Sequence, residues 1–382
     1  MHSGVVVRGM GLSCALGDGT DACVARLRAG QVVPEILDLS GFEERIRMRF
    51  YAMPGAQDLF DPTRVASLLP RVAHEAVTAA GLTRAEIEKL PVFIGTSAFS
   101  IRRSEIQPAI PSETRDAALA LPLLGYEQIA GTLQGALGNR GEVFGFNTAC
   151  TSAANALMSA ARMIKLGWYE HALVVGVEVA SLPTLAGFSG LQLLADTLRP
   201  FDLLRNGIVL GEGIGAVVLS AGDAGASGIH LTAGASNLDS YRVTTAHPDG
   251  SSIAALQETV LAQAGVDRRD IRGIKAHGTA SPMNDTSEAA GIRRVFSEIP
   301  PVCALKPYIG HTLGACGVNE FVLMASALTA GFFPATAGFE TPDPSLMITP
   351  ARENTEARAG AYMLNYFGFG GHNTALVIEK RA

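Results

Sequence analysis

Short apolar runs alternate with longer helical stretches along this chain, and this alternation constrains the fold more than any other feature. The pattern predicts strands at Gly4–Val7, Val92–Gly95, Val143–Phe146, Ala172–Gly176, Gly215–Leu219, Gly228–Ala233, Ile271–Ala276, Tyr362–Asn365 and Thr374–Ile378. It predicts helices at Arg64–Ala80, Thr151–Leu166, Ser252–Ala264, Asp285–Phe296 and Val318–Ala330. Because such alternation is typical of sheets covered by helices, the sequence predicts an α/β protein.

The length and the pattern together predict two similar halves. At 382 residues the chain exceeds what one hydrophobic core usually supports. The stretch Ser220–Gly228 is rich in Ala, Gly and Ser, which places the predicted boundary between residues 1–222 and 223–382. The helices predicted from Thr151 and Val318 are apolar nearly all round and follow reactive side chains. We therefore expect an internal duplication in which two buried helices point at one site.

Bulk composition excludes several classes of protein. The formal charge of −6 argues against nucleic acid as the main partner. No apolar run reaches the roughly 18 residues that a membrane span needs, so none is predicted. The five cysteines are scattered, with no Cys-x-x-Cys pair, which favours a reduced, cytoplasmic protein over a disulfide framework.

Cys150 lies at the junction between the predicted strand Val143–Phe146 and the helix predicted from Thr151. A helix N-terminus favours the anionic thiolate, so we expect the pKa of this cysteine to be lowered. The alternative is a small buried cysteine that fills a gap in the core. Local context leaves both interpretations open.

Two histidines, His277 and His311, have glycine neighbours, which allow the backbone to bring an imidazole close to a ligand. Structural histidines and metal ligands are the alternatives. There is no His-Glu-x-x-His sequence, and the spacing differs from that of known ligand sets, so no metal is predicted.

Two glycine-rich runs have different interpretations. Gly211–Gly215 superficially resembles a dinucleotide fingerprint, but it precedes a strand instead of following one, which excludes that interpretation. Gly368–Asn373 lies between two predicted strands and could offer backbone N–H groups to an oxyanion. A structural turn is the alternative for this second run.

Taken together, these segments resemble one family, the β-ketoacyl-(acyl carrier protein) synthases of the elongating Cys-His-His type, which are related to polyketide ketosynthases. The resembling segments are Asn147–Ser152, Arg199–Asp202 with Arg205, Gly211–Gly213, His277–Thr279, Lys306, Gly310–Ala315 and Asn365–Gly371. Their order and approximate spacing extend over nearly the whole chain.

The resemblance implies a thiolase-like fold, with two similar halves stacked in α-β-α-β-α layers. It also implies decarboxylative Claisen condensation of malonyl-acyl carrier protein with a bound acyl group, giving 3-oxoacyl-acyl carrier protein in fatty-acid or polyketide chain elongation. No cofactor is implied, because the substrates are carried on the phosphopantetheine of an acyl carrier protein. The carrier is one implied partner. The other is a second copy of the chain or, alternatively, a chain-length subunit.

The resemblance also assigns catalytic roles. Cys150 would hold the acyl chain as a thioester, while His277 and His311 would hold the malonyl carbonyl and stabilise the enolate. The backbone N–H groups of Cys150 and Phe369 would form an oxyanion hole, and Phe369 would gate the acyl pocket. A thiolate suits the first role because it is both a nucleophile and a leaving group.

Further residues receive supporting roles from the same resemblance. Lys306 would support His311 and interact with an acidic residue, for which Glu288 is the best match. Glu320, nine positions after His311, matches a buried acid that helps to organise the site.

Four residues are candidates for contact with the substrate or the carrier: Phe188, Arg205, Arg64 and Arg71. An acyl carrier protein is acidic, so an enzyme of net negative charge must meet it through a local cationic patch. Arg64 and Arg71 are seven positions apart on one predicted helix, which places them on one face.

Three other functions fit the sequence less well. A non-catalytic chain-length subunit replaces the nucleophile, whereas Cys150 is present. A thiolase needs a second cysteine near the C-terminus, and none follows Cys316. The initiating Cys-His-Asn synthases differ at the position that His311 occupies.

Overall fold

A computed structural model describes residues 4–32, 34–39, 46–55, 59–61, 64–97, 125–223 and 225–382. The strands in this part of the chain are β1 (Gly4–Cys14), β2 (Gly17–Asp18), β3 (Glu35–Leu39), β4 (Ile46–Tyr51), β5 (Val92–Gly95), β6 (Val143–Phe146), β7 (His171–Glu178), β8 (Leu210–Gly211), β9 (Gly213–Gly222), β10 (Gly228–Leu238), β11 (Ile271–Lys275), β12 (Val302–Cys303), β13 (Phe332–Phe333), β14 (Thr355–Glu356), β15 (Gly360–Phe367) and β16 (His372–Arg381). The helices are α1 (Thr20–Arg28), α2 (Arg64–Ala80), α3 (Arg84–Glu88), α4 (Tyr126–Leu137), α5 (Ser152–Lys165), α6 (Leu182–Gly190), α7 (Ser251–Ala264), α8 (Pro282–Val295), α9 (Lys306–Ile309) and α10 (Cys316–Thr329).

Two sets of five strands share one topology. The first set follows the order β1-β9-β7-β5-β6 from the centre outward, and the second follows β10-β16-β15-β11-β12. In both sets each of the first three strands is antiparallel to its neighbour among them, and the last three strands are parallel. The sets meet where β1 pairs with β10 at Val6 and His230. This repetition confirms the predicted duplication in the backbone, although the division at residues 222 and 223 stays a prediction.

Helices cover and separate the two sets of strands. The apolar faces of α2 and α4 form a core with the outer face of the first set, and those of α7 and α8 do so with the second. Between the sets lie α5 and α10, whose residues belong to a third, central core. A Cβ at Gly317 would lie 2.1 Å from the backbone nitrogen of Ala154, so these two helices approach each other at backbone distance. The predicted α-β-α-β-α layering is confirmed.

The predicted elements are confirmed, with the largest errors in strand length. The first strand was predicted at Gly4–Val7 but continues to Cys14. Its second part contains Gly9 and Gly11, which interrupt the apolar pattern. A Cβ at Gly11 would lie 2.1 Å from the carbonyl oxygen of Val72, so these glycines allow α2 to pack directly on the strand. None of the described helices is long and apolar enough to cross a lipid bilayer.

Candidate active site

Cys150 lies in a tight turn between the end of β6 and the start of α5. Ala149 has a φ of 51°, a conformation that non-glycine residues adopt mainly where the surroundings enforce it, often at functional sites. The Thr148 N–H donates to the Ser152 Oγ at 2.9 Å, and the Thr151 Oγ1 donates to the Thr148 carbonyl at 2.7 Å. The local sequence thus closes the turn with its own hydroxyls and fixes the Cys150 side chain at the helix start.

The expected lowering of the Cys150 pKa is wrong. Burial raises the pKa of the thiol to about 11, because the low-dielectric interior disfavours the thiolate. The Lys306 charge and hydrogen bonds from the N–H groups of Phe369 and Cys150 oppose this effect but do not overcome it. The neutral thiol form of Cys150 is therefore favoured, and a neutral thiol needs a base before it can act as a nucleophile.

His311 is placed to be that base. Its Nε2 atom lies 3.1 Å from the Cys150 Sγ. The His311 N–H donates to the Val209 carbonyl at 2.8 Å, and Gly310, with a φ of 71°, turns the chain beside β8. Burial and the Lys306 charge hold the pKa of His311 well below its ordinary value, so the ring is neutral and can accept a proton.

His277 lies on the other side of the same space. Its ring centroid is 5.4 Å from that of His311, and the two rings are nearly perpendicular. The N–H groups of His277 and Gly278 donate to the two oxygens of Glu288 at 2.8 and 2.9 Å, which fixes the chain at the end of β11. Burial, Lys306 and His311 lower the pKa of His277, so this imidazole is also neutral.

The predicted partners of Lys306 are wrong in two respects. Its Nζ atom contacts the Nδ1 of His277 at 3.2 Å, so it supports His277 instead of His311. Its acidic partner is Glu320, at 2.7 Å, instead of Glu288, whose oxygens are engaged by backbone N–H groups. An ammonium can only donate, so Nδ1 accepts and the His277 proton lies on Nε2.

Phe188 and Phe369 stand together at the cavity that leads to Cys150. Their rings stack with centroids 5.7 Å apart. Both line a cavity of about 350 Å3 that also exposes Cys150, His277 and His311. The structure thus brings a thiol, two imidazoles and two aromatic rings around one space.

Two of the three arginines predicted to dock a carrier, Arg64 and Arg205, form internal ion pairs. Arg64 is buried and donates to both oxygens of Glu212, at 2.6 and 3.1 Å. Arg205 contacts Asp343 at 2.6 Å, and both side chains of that pair are nearly buried. Arg71 alone is well exposed. Since α2 directs Arg64 inward, the prediction that Arg64 and Arg71 present one cationic face is wrong, and Arg205 is likewise engaged.

No role was predicted for Lys275, which the structure places beside the site. Its Nζ atom contacts Glu320, and its side chain is fully buried. A lysine at the end of a strand, two residues before His277, was the signal in the sequence. Buried lysines require partners, and those partners come from distant parts of the chain.

Comparison with known proteins gives consistent matches over the whole chain. Residues 2–224 match the family model "Beta-ketoacyl synthase, N-terminal domain", and residues 229–340 match "Beta-ketoacyl synthase, C-terminal domain". Nodulation protein E of Rhizobium meliloti is 30% identical, with 100% of each chain covered. The 3-oxoacyl-[acyl-carrier-protein] synthase 2 of Vibrio cholerae is 30% identical, covering 98% of this chain and 99% of that protein. The solved structure of the ishigamide ketosynthase/chain length factor superposes with a TM-score of 0.87 at 26% identity, with 100% of each chain covered. Cys150 lies in the first matched region, and both histidines lie in the second.

Proposed function

The chain belongs to the β-ketoacyl synthase family, and we propose that it catalyses decarboxylative Claisen condensation of malonyl-acyl carrier protein with an acyl group held on Cys150. The product is 3-oxoacyl-acyl carrier protein, in fatty-acid or polyketide chain elongation. The observation that carries this proposal is the contact of 3.1 Å between the Cys150 Sγ and the His311 Nε2, with His277 beside them.

The first half-reaction loads the enzyme. The Cys150 Sγ attacks the carbonyl carbon of an acyl thioester while the His311 Nε2 takes the thiol proton. The N–H groups of Cys150 and Phe369, which hydrogen-bond the Sγ, are close enough to donate to the oxyanion of the tetrahedral intermediate. The carbon–sulfur bond to the carrier then breaks, and the carrier thiolate leaves with the proton from His311.

The second half-reaction forms the carbon–carbon bond. Loss of CO2 from the malonyl group leaves its electron pair as an enolate, whose oxygen accepts hydrogen bonds from the Nε2 atoms of His277 and His311. The enolate carbon attacks the acyl carbonyl, the bond from that carbon to the Cys150 Sγ breaks, and the thiolate that leaves takes a proton from solvent water. Lys306 fixes the proton of His277 on Nε2. Among the described residues the His311 Nδ1 has no hydrogen-bond partner, so the neutral ring is free to change tautomer. Its unprotonated Nε2 accepts the thiol proton during loading, and a shift of the ring proton from Nδ1 to Nε2 then lets Nε2 donate to the enolate oxygen.

An acyl carrier protein is the proposed partner, supported by the name of the Vibrio cholerae relative. A second copy of the chain is the other proposed partner. The sheet ends at β6, and no further strand pairs with its outer edge among the described residues. An unpaired edge strand is a surface that a partner strand can extend. The five cysteines are free thiols, which supports the proposed cytoplasmic location.

A non-catalytic chain-length subunit and a thiolase receive no support from the site. Cys150 is present and lies beside a base, which a non-catalytic subunit does not need. The other buried cysteine in contact with this turn is Cys316, whose Sγ donates to the Cys150 carbonyl at 3.0 Å. Its pKa is raised well above the ordinary value by burial, and the thiol is occupied by that carbonyl, so it is not placed as a second base.

The test separates loading from condensation. The purified protein is offered a panel of acyl-carrier thioesters, and intact mass shows which acyl groups transfer. Malonyl-carrier is then added, and CO2 and 3-oxoacyl-carrier are measured together. We expect a single acyl adduct followed by equal amounts of CO2 and condensation product. Absence of an adduct, or CO2 release with no carbon–carbon bond formation, would overturn the proposal.

A further inference from the structure

Lys275 is a fully buried cation at the end of β11. Its Nζ atom contacts Glu320, donates to the Asn365 carbonyl at 2.7 Å, and lies 3.6 Å from the centroid of the Tyr366 ring. The carboxylate and the carbonyl require a donor, and the ring face favours a cation. Burial lowers the pKa of Lys275 below its ordinary value, and these three partners favour the ammonium form against that effect.

Glu320 is shared between two cations. One carboxylate oxygen contacts Lys275, and the other accepts from Lys306 at 2.7 Å. All three side chains have no exposed surface. One carboxylate neutralises only one ammonium, so the cluster of Lys275, Glu320 and Lys306 carries one net positive charge within the core.

Lys306 places this positive charge beside His277. Its Nζ atom contacts the His277 Nδ1 at 3.2 Å and donates to the His277 carbonyl at 2.7 Å. If Lys275 were absent, Glu320 would neutralise Lys306, and the charge beside the imidazoles would disappear. A positive charge at this place favours the enolate, whose negative charge develops only during the reaction.

Taking the condensation proposed above as the reaction, we propose that Lys275 is a positioning residue that neutralises Glu320 and so leaves the Lys306 ammonium uncompensated beside His277. Other titratable groups that face Lys275 are neutral thiols or a phenol. They are Cys316 of α10, Cys303 of β12 and Tyr366 of β15, each with a pKa raised first of all by burial. Glu288, across Asn365, directs its oxygens to the N–H groups of His277 and Gly278.

The test compares the variant Lys275→Met with the double variant Lys275→Met/Glu320→Gln. The single variant leaves Glu320 and Lys306 as a neutral pair. The double variant restores one net positive charge, and the glutamine oxygen can still accept from Lys306. Lys380→Met is the matched control, because it removes a lysine of β16 whose ammonium donates to the Ala357 carbonyl outside the site.

In Lys275→Met we expect condensation to fall by roughly tenfold to a hundredfold, an order of magnitude taken from outer-shell partners of metal-ligating histidines in other proteins. Loading of Cys150 should fall by less. Since a nearby positive charge opposes imidazole protonation, its loss should move the acid limb of the condensation profile to higher pH by about one unit. The double variant should recover part of the condensation rate, and the acid limb of its pH profile should return towards that of the unmodified protein.

If Lys275 had only a structural role, the double variant should condense more slowly than the single variant, because it removes more native contacts. Circular dichroism and thermal unfolding establish that each variant is folded. Unchanged condensation and an unchanged pH profile in Lys275→Met would overturn the role of Lys275, as would a double variant that is no better than the single one. Failure of the unmodified protein to condense would instead overturn the proposed function.

Discussion

The Nε2 atom of His311 lies 3.1 Å from the Sγ of Cys150, although 161 positions separate the two residues in the chain. The duplicated fold produces this contact, because each residue precedes one of the two central helices, and those helices pack against each other. In the proposed mechanism this contact lets His311 take the proton of a neutral thiol as the thiol attacks. It also divides the reaction into steps that single substitutions should separate.

Replacing Cys150 with alanine should abolish acyl loading while the protein stays folded, because alanine fits the turn and the small-residue start of α5. Intact mass after incubation with acyl-carrier thioesters measures the adduct. Cys23→Ala is the matched control, since it removes a buried thiol whose Sγ donates to the Gly17 carbonyl, outside the site. An adduct retained in Cys150→Ala would show that another residue is the nucleophile.

Replacing His311 with alanine should affect the two half-reactions differently. Without its base, Cys150 should load slowly, and condensation should fall by about a hundredfold or more, the usual cost of one lost oxyanion donor. His277→Ala is the paired variant, and it should reduce condensation more than loading, because His311 still contacts the thiol. Normal condensation in either variant would contradict the assigned roles.

The pH profile of condensation should have its acid limb below pH 6.5. Burial and Lys306 hold the pKa values of His277 and His311 well below this ordinary value, and the proposed mechanism requires neutral rings. Activity should therefore persist at pH 6.5 and disappear only as the pH falls through the lowered pKa values. Product formation measured at constant ionic strength checks this. A midpoint at or above pH 6.5 would show that the imidazoles are not held neutral in this way.

Replacing Arg64 with alanine should destabilise the fold by about 3–5 kcal/mol, because Glu212 would be left as an uncompensated buried charge. Arg71→Ala is the control on the same helix. Its side chain is 58% exposed, and its ion pair with Asp18 should contribute about 1 kcal/mol or less. Denaturant unfolding measures both.

Turnover of a small thioester extends this comparison. Arg64→Glu should lose activity with the small thioester as well as with the carrier-bound substrate, because the damage is to the fold. Loss with the carrier alone would restore Arg64 as a docking residue.

Most of the helices and strands could be predicted from the pattern of apolar residues in the sequence. The helix Arg64–Ala80 and the strands Val92–Gly95 and Val143–Phe146 were predicted with their observed bounds. Apolar periodicity and local turn residues decide such elements, and both are properties of neighbouring positions. The second part of β1 was missed because its glycines interrupt the apolar pattern. They are there because α2 packs directly on the strand, and no local pattern reveals such a tertiary contact.

The sequence by itself determined which residues are candidates for the chemistry: a cysteine at a strand–helix junction and two histidines with glycine neighbours. Only the tertiary structure decided their electrostatics. It buried Cys150 and raised its pKa, assigned Lys306 to His277 and Glu320, turned Arg64 towards Glu212, and placed Lys275 beside the site. The physical reason is that a charge or a pKa depends on burial and on groups within a few ångströms, and folding brings those groups from distant positions in the chain.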